Sequence, residues 1–129
     1  MGMTLHRTNF DYATGKFMQP YLLCGSKSSS GYTDGPGTTA RFNEPQQGCF
    51  DENENFYVCD QNNNLIRKVE PNGQVTTFAG RYQEWGLADG DLRLEARFNR
   101  PHGIAYNQNT SEFYIADKNN KRIRIITKE

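Results

Sequence analysis

The feature that most constrains the fold of this chain is an internal repeat with a period of about 56 residues. The segment Ala40–Pro45 recurs almost unchanged as Ala96–Pro101, and Phe56–Asp60 recurs as Phe113–Asp117. The spacing between matched segments drifts by one residue at two points, which places single insertions in loops. Such a chain is expected to form two copies of one structural unit that pack against each other.

Each copy is predicted to consist of short β-strands, because alternating apolar residues are bounded by turn sequences rich in Asn, Asp and Gly. The predicted strands of the first copy are Gln46–Phe50, Phe56–Cys59, Leu65–Val69 and Gln74–Phe78. Those of the second copy are Gly103–Tyr106, Phe113–Ala116 and Ile123–Ile126. The first strand of the first copy departs from the second copy at Gln47-Gly48, so its backbone is expected to be irregular. The segment Leu92–Phe98 fits either a short helical turn or a loop.

A partial third copy opens the chain, where Asp11–Gly25 resembles the stretch 70–80. Each has a turn around a glycine and then an apolar run that ends in glycine. Pro20 within this run indicates an edge or bulged strand. We therefore divide the chain into the third and fourth strands of a partial unit at 4–25, a complete unit at 31–80, and a unit without its last strand at 86–129.

A four-stranded meander that repeats at this length is typical of a β-propeller, in which each sheet is one blade. A single blade cannot bury both of its faces, whereas stacked blades can. The fold class is therefore all-β, with about two four-stranded antiparallel blades and part of a third. Two blades cannot close a ring, since closed propellers need roughly four to eight.

The repeated motifs resemble those of the NHL-repeat family. They read Gly-Tyr-x-Asp-Gly, then Ala-Arg-Phe-Asn-x-Pro, then Phe-Tyr-x-x-Asp followed by Asn-x-x-Ile-Arg. The long loop before Ala-Arg-Phe-Asn is similar to that of bacterial secreted or surface propellers. The resemblance implies the C-terminal portion of a six-bladed ring in an extracytoplasmic protein, although this chain carries no targeting signal.

Composition argues against two classes of partner. The chain has 15 basic and 15 acidic residues, and its one basic run, at 118–124, is short, so no nucleic acid partner is expected. No apolar run approaches the roughly 18 residues of a membrane span. The motifs of serine hydrolases, zinc proteases and phosphate-binding loops are also missing from the sequence.

The three cysteines occupy positions where another copy of the repeat has alanine. Cys24 aligns with Ala79, Cys49 with Ala105, and Cys59 with Ala116. They are therefore interpreted as small packing residues. A bridge between Cys49 and Cys59 stays open, because the two could face each other on adjacent strands.

The candidate ligand-binding residues lie in two places. His102 precedes the strand that lines a propeller's channel, and its counterpart in the first copy is Gln46. Histidines placed like His102 bind metal in the lyase branch of the family, yet a metal site needs several ligands, so a polar residue at the channel mouth is the alternative. Tyr32, Tyr82 and Trp85 lie in the long loops between blades, where aromatic rings either stack on a sugar or protein partner or pack over the propeller itself.

Residues shared by both copies are interpreted as structural. Arg41 and Arg97 are expected to anchor loops or neighbouring blades, as are Arg67 and Arg124. Asp60 and Asp117 are expected to cap backbone N–H groups locally in a turn, with calcium binding as the alternative. The remaining motif residues are Asn43, Pro45, Asn99 and Pro101.

The sequence favours a binding segment of a bacterial extracytoplasmic propeller, with a protein or carbohydrate ligand and no cofactor. The alternative implied by the family is an enzyme, a lactonase-like hydrolase or a lyase, with calcium or zinc in the channel of the complete ring. The remaining blades or self-association would complete the ring.

We predict that the 129-residue chain alone self-associates, is poorly stable or is domain-swapped, because an incomplete propeller exposes the apolar faces of its outer blades. Light scattering and thermal unfolding measure this directly. A stable monomer with a sharp unfolding transition would contradict the prediction.

Overall fold

The computed structural model describes residues 2–91 and 95–128. Its described residues form twelve β-strands and three short 3-10 turns. The strands are β1 (Thr4–Arg7), β2 (Phe10–Asp11), β3 (Lys16–Phe17), β4 (Tyr21–Gly25), β5 (Gly35–Pro36), β6 (Pro45–Phe50), β7 (Phe56–Asp60), β8 (Leu65–Val69), β9 (Gln74–Ala79), β10 (Pro101–Asn107), β11 (Glu112–Asp117) and β12 (Arg122–Thr127). Part of the segment expected to be a helical turn or loop, Leu92–Leu94, lies outside the described residues.

The complete copy and the copy without its last strand both form antiparallel meanders, so the all-β prediction is confirmed. The first copy is the sheet β5-β9-β8-β7-β6, and the second is β10-β11-β12. All seven predicted strands are present, and most extend one or two residues further than predicted. The fifth strand of the first sheet was not predicted: Gly35 and Pro36 pair with Val75 and Gln74. A two-residue strand containing proline carries no alternating pattern that sequence could reveal.

The N-terminal segment forms a separate antiparallel pair. β1 pairs with β4, and the chain between them folds into the small hairpin β2–β3. The predicted turn lies at Gly15, whose φ is +70°. A register shift interrupts the pairing between Leu5 and His6, opposite the strand that follows Pro20.

A β-bulge disrupts the first strand of each copy at the same place. The pairing register shifts between Pro45 and Gly48 in β6 and between Pro101 and Gly103 in β10. The irregularity expected only for the first copy is thus common to both. A bulge adds one residue opposite a regular partner strand and increases the local twist.

The sheets pack face to face. Side chains alternate along β7, so that Tyr57 and Cys59 join a cluster with Phe113 of the second sheet, while Val58 joins a cluster with Cys24. The first sheet is thus packed on both faces, and the second sheet packs one face against it, as neighbouring propeller blades do.

The three cysteines are free thiols. β6 places Cys49 opposite Tyr57, so Cys49 and Cys59 are not direct cross-strand partners. Cys24 and Cys59 are fully buried, and Cys49 is partly buried against the same core. Burial raises the pKa of the Cys59 thiol to about 12, so this group is protonated at neutral pH.

A buried ion pair links three segments of the first copy. Arg67 on β8 is fully buried, and its Nη1 donates to Asp60 Oδ2 at 2.8 Å and to the Arg41 carbonyl at 2.7 Å. Its Nη2 donates to Asp34 Oδ1 at 2.8 Å and to the Thr33 carbonyl at 3.0 Å. One guanidinium therefore joins the sheet to the loop that leads into it.

Asp60 is not the local turn cap that the sequence predicted. Its carboxylate accepts the backbone N–H of Asn43, 17 residues earlier, at 2.8 Å, and the side-chain amide of Asn63 at 2.7 Å. Its side chain makes no capping hydrogen bond to the turn that follows. The position of Asp60 just before a turn suggested that it caps that turn. In the structure, the order of the strands instead brings Asn43 within hydrogen-bond distance of Asp60.

The second copy repeats this arrangement residue for residue. Arg124 donates to Asp117 at 2.9 Å, to the Arg97 carbonyl at 2.9 Å and to Asp89. Asp117 in turn accepts the backbone N–H of Asn99 at 2.8 Å. The Asp–Arg pair is therefore a property of the repeat.

We expect Asp60→Ala to lower the free energy of unfolding by about 3–5 kcal/mol, because it removes the only fully buried carboxylate that pairs with the Arg67 guanidinium among the described residues. Urea denaturation measures this loss. Asp11→Ala, which removes a half-buried aspartate whose carboxylate accepts the Ala13 N–H within one hairpin, is the control and should cost only about 1 kcal/mol. A near-neutral Asp60→Ala variant would show that the pair does not hold the sheet together.

The turn between β6 and β7 is organised around Asp51. Its buried carboxylate accepts hydrogen bonds from the backbone N–H groups of Asn53 and Asn55 at 2.8 and 3.0 Å, and from the Tyr57 hydroxyl at 3.0 Å. Lys128, beyond β12, donates to the same carboxylate at 3.2 Å. This turn therefore ties the two sheets together at the end opposite the long loops.

Acid should remove the contribution of Asp51. Burial alone raises the pKa of this carboxyl, but hydrogen bonds from Asn55, Asn53 and Tyr57 outweigh burial and lower the pKa from 3.8 to about 2. Because the folded-state pKa is depressed, the stabilisation of about 2 kcal/mol is complete above pH 4 and is lost as the pH falls towards 2. The stability difference between the wild type and Asp51→Asn, measured by denaturation, should shrink over that window. A constant difference from pH 5 to pH 2 would refute this role.

Candidate functional site

Two tyrosines predicted as ligand contacts lie against each other on the long loops. Tyr32 precedes β5, and Tyr82 follows β9. Their rings stack with centroids 3.4 Å apart and planes inclined by 13°. Since Tyr32 remains about half exposed, the pair presents an aromatic surface to solvent.

Polar groups surround this stacked pair. An open cavity of about 460 Å³ is lined by Tyr32, Tyr82, Asp34, Thr77 and Arg81. Asp34 is 44% exposed, and both of its oxygens are already oriented by Arg67 and Thr77. An aromatic surface beside a fixed carboxylate, a guanidinium and a hydroxyl offers both apolar contact and hydrogen bonds to a ligand.

Trp85 stands apart from the tyrosine pair. Its side chain is 69% exposed, and among the described residues it makes no ring–ring contact. The residue of the second loop that matches Tyr32 is Leu87, so the two loops share a backbone plan but differ in surface chemistry.

His102 contacts the neighbouring sheet. Its Nδ1 lies 3.1 Å from Nε2 of Gln61, whose Oε1 accepts from Arg100 at 3.1 Å. Arginine only donates, so the Gln61 carbonyl must face Arg100 and the Gln61 amide must donate to His102. Neutral His102 therefore carries its proton on Nε2. Gln46, its counterpart, donates instead to the Glu44 carbonyl at 3.4 Å.

Gln61 and Arg100 were not among the residues singled out from the sequence. Both contact residues about 40 positions away in the chain, so local motifs carry no sign of their pairing. Within 2–91 and 95–128, no group of three or more His, Cys, Asp or Glu side chains is arranged to hold a metal ion.

The repeated motif residues hold the loops. Arg41 donates to the carbonyls of Thr39 and Ala40 at 3.0 and 2.9 Å, and Arg97 donates to the Ala96 carbonyl at 3.0 Å.

Pro45 and Pro101 begin β6 and β10. Each follows a residue in the left-handed region, Glu44 at φ 54° and Arg100 at φ 56°. The backbone carbonyls of Asn43 and Asn99 accept from Asn62 and Asn119 in the turns that follow β7 and β11.

Comparison with known proteins agrees with the architecture. The NHL repeat profile matches residues 98–126. NHL repeat-containing protein 2 of Bos taurus is 33% identical over 101 residues, which are 77% of this chain and 14% of that protein. The chain belongs to the NHL-repeat family. The prediction from the repeated motifs is thereby confirmed.

Two solved structures are also similar to this NHL-repeat chain. A Bacteroides ovatus protein described as an auxiliary nutrient binding protein is 43% identical, with a TM-score of 0.85 over 96% of this chain and 32% of its own. A Bacteroides thetaiotaomicron protein provisionally named a phosphatase is 38% identical, with a TM-score of 0.89 over 96% of this chain and 30% of its own. The chain thus spans about a third of these solved proteins. No helix among the described residues has the length and apolarity to cross a membrane.

Proposed function

We propose that this NHL-repeat chain is the ligand-binding segment of a bacterial extracytoplasmic propeller, and that it binds carbohydrate. The observation that carries the proposal is the Tyr32–Tyr82 stack beside the Asp34 carboxylate in an open cavity. Flat apolar ring faces next to oriented hydrogen-bonding groups suit a sugar, which has apolar C–H faces and a rim of hydroxyls.

The location of these groups supports a recognition role. The stack lies on loops between sheets, and loops positioned by a rigid scaffold commonly carry binding residues. Arg67 fixes one oxygen of Asp34 from below, so the carboxylate is preorganised before a ligand arrives. The similarity to a Bacteroides protein described as nutrient binding supports an extracytoplasmic setting for this chain as well.

The division into blades is part of the same proposal. We take 4–25 as part of one blade, 31–80 as a full blade and 86–129 as a third blade without its outer strand, within a six-bladed ring. Under this division the tyrosine stack bridges the loops on both sides of the full blade. The ligand would therefore contact the junction between two blades.

An enzyme is the alternative, and the similarity to a protein provisionally named a phosphatase keeps it relevant. Its best local candidate is His102. The Nδ1 atom of this residue is engaged by Gln61, which leaves Nε2–H as a hydrogen-bond donor. Such a donor fits a polar position at the channel mouth better than a metal ligand, which needs a lone pair.

We expect Tyr32→Ala to weaken oligosaccharide binding about tenfold, because it removes one of the two stacked rings and the apolar surface that the sugar would cover. Isothermal titration calorimetry against a panel of neutral and acidic oligosaccharides measures the affinity. Tyr12→Ala is the matched control, since Tyr12 is 90% exposed on the hairpin β2–β3. Equal affinities for the two variants, or no sugar bound by the wild type, would refute the proposed function.

A further inference from the structure

Arg81 lines the cavity beside the tyrosine stack without anchoring the scaffold. The arginines of the repeated motifs do anchor it, because Arg41, Arg67 and Arg124 donate from their Nη atoms to carbonyl or carboxylate oxygens. Arg81 is 52% exposed, and its Nε lies 2.8 Å from Oε2 of Glu84. Neither of its Nη atoms donates a hydrogen bond to any residue that the structure describes. The terminal nitrogens of Arg81 are therefore available to a ligand in the cavity.

A short turn restricts the orientation of the Arg81 side chain. The Glu84 N–H donates to the Arg81 carbonyl at 3.1 Å, and this turn lets the two side chains pair. Glu84 Oε1 also lies 3.5 Å from Nη2 of Arg97, whose Nη1 donates to the Ala96 carbonyl at 3.0 Å. Exposed ion pairs of this kind add little stability. They do orient the Arg81 guanidinium, because its Nε side faces Glu84 and its Nη side is left for a ligand.

Asp34 lies in the same cavity but does not exclude an anionic ligand. Its Oδ1 is paired with Nη2 of the fully buried Arg67 at 2.8 Å, and it accepts the N–H and the hydroxyl of Thr77 at 3.1 Å each. A carboxylate paired with a guanidinium at this distance exerts little net field on the cavity. Because an ionised carboxylate only accepts hydrogen bonds, Asp34 favours ligand groups that donate, such as hydroxyls.

We propose that this cavity binds a uronic acid unit of a glycan, an inference that rests on the carbohydrate binding proposed above. The sugar carboxylate accepts from both Nη atoms of Arg81, the pyranose face lies on Tyr32, and a ring hydroxyl donates to Asp34. A guanidinium and a carboxylate are both planar, so two parallel hydrogen bonds join them well. A uronate carries all three of these groups, whereas a neutral hexose lacks the carboxylate.

The test compares the same glycan with and without its charge. Isothermal titration calorimetry at neutral pH measures binding of the full 129-residue chain to oligomers of galacturonate and glucuronate, and to their methyl esters. The esters keep the pyranose ring and lose the charge of the carboxylate. We expect the acid to bind about tenfold more tightly than the ester, because the acid forms a charge-assisted pair with Arg81. Added salt should weaken binding of the acid more than binding of the ester.

Substitutions separate the contribution of the guanidinium from that of the aromatic ring. Arg81→Gln should reduce the ratio of acid to ester affinity to about one, and Arg81→Lys should keep part of the ratio because it retains the charge without the fork. Tyr32→Ala should weaken both ligands and preserve the ratio. Arg122→Gln is the matched control and should change neither affinity, since Arg122 is exposed on β12 and does not line the cavity.

Three other outcomes would overturn the inference. If the ester binds as tightly as the acid while Tyr32→Ala weakens both, carbohydrate binding stands and the uronate assignment is wrong. If the wild type binds neither ligand, the proposed function fails together with the inference. A sulfated neutral oligosaccharide that binds more tightly than the acid, or a glutamate-rich peptide whose binding depends on Arg81 but not on Tyr32, would assign the guanidinium to a different anion.

Discussion

The buried Arg67–Asp60 pair is the interaction on which the rest of the structure depends. A guanidinium and a carboxylate taken fully out of water cost several kcal/mol each unless their hydrogen-bonding capacity is met. Here the cost is offset by partners from three separate segments, which include Asp34 and the backbone of Asn43. The pair therefore forms only when sheet and loop are both in place. This requirement couples the long loop to the sheet and makes each blade a cooperative unit.

Because the pair is repeated as Arg124–Asp117, the backbone of each copy is fixed by the same few groups. The remaining loop positions are then free to differ. Tyr32 in one copy corresponds to Leu87 in the other, although the loops around them are anchored alike. The separation of anchoring residues from variable ones explains how a uniform scaffold presents a different loop surface in each copy.

Much of the fold was predictable from the sequence, because the two copies of the repeat can be aligned and residues at matching positions share a role. Strand positions and the packing role of Cys24 and Cys59 follow from comparing the copies. The long-range role of Asp60 did not follow, since its partner Asn43 lies 17 residues away and only the strand order brings them together. The Tyr32–Tyr82 stack could not be predicted from the sequence either, because it joins loops on opposite sides of one sheet. Repetition reveals which residues share a role, but it does not reveal which distant residues contact each other.

The same reasoning separates residues that hold the blade together from residues that line the cavity beside the tyrosine stack. Asp34 belongs to both groups: Arg67 and Thr77 bind its carboxylate oxygens, and the same residue lines the cavity beside the tyrosine stack. Its counterpart Asp89 has the arginine but not the threonine. Each of these two carboxylates is oriented by the buried arginine of its own copy, Asp34 by Arg67 and Asp89 by Arg124. The same arginine–carboxylate pair therefore anchors the long loop in each copy, while the surroundings of the carboxylate differ between the two copies.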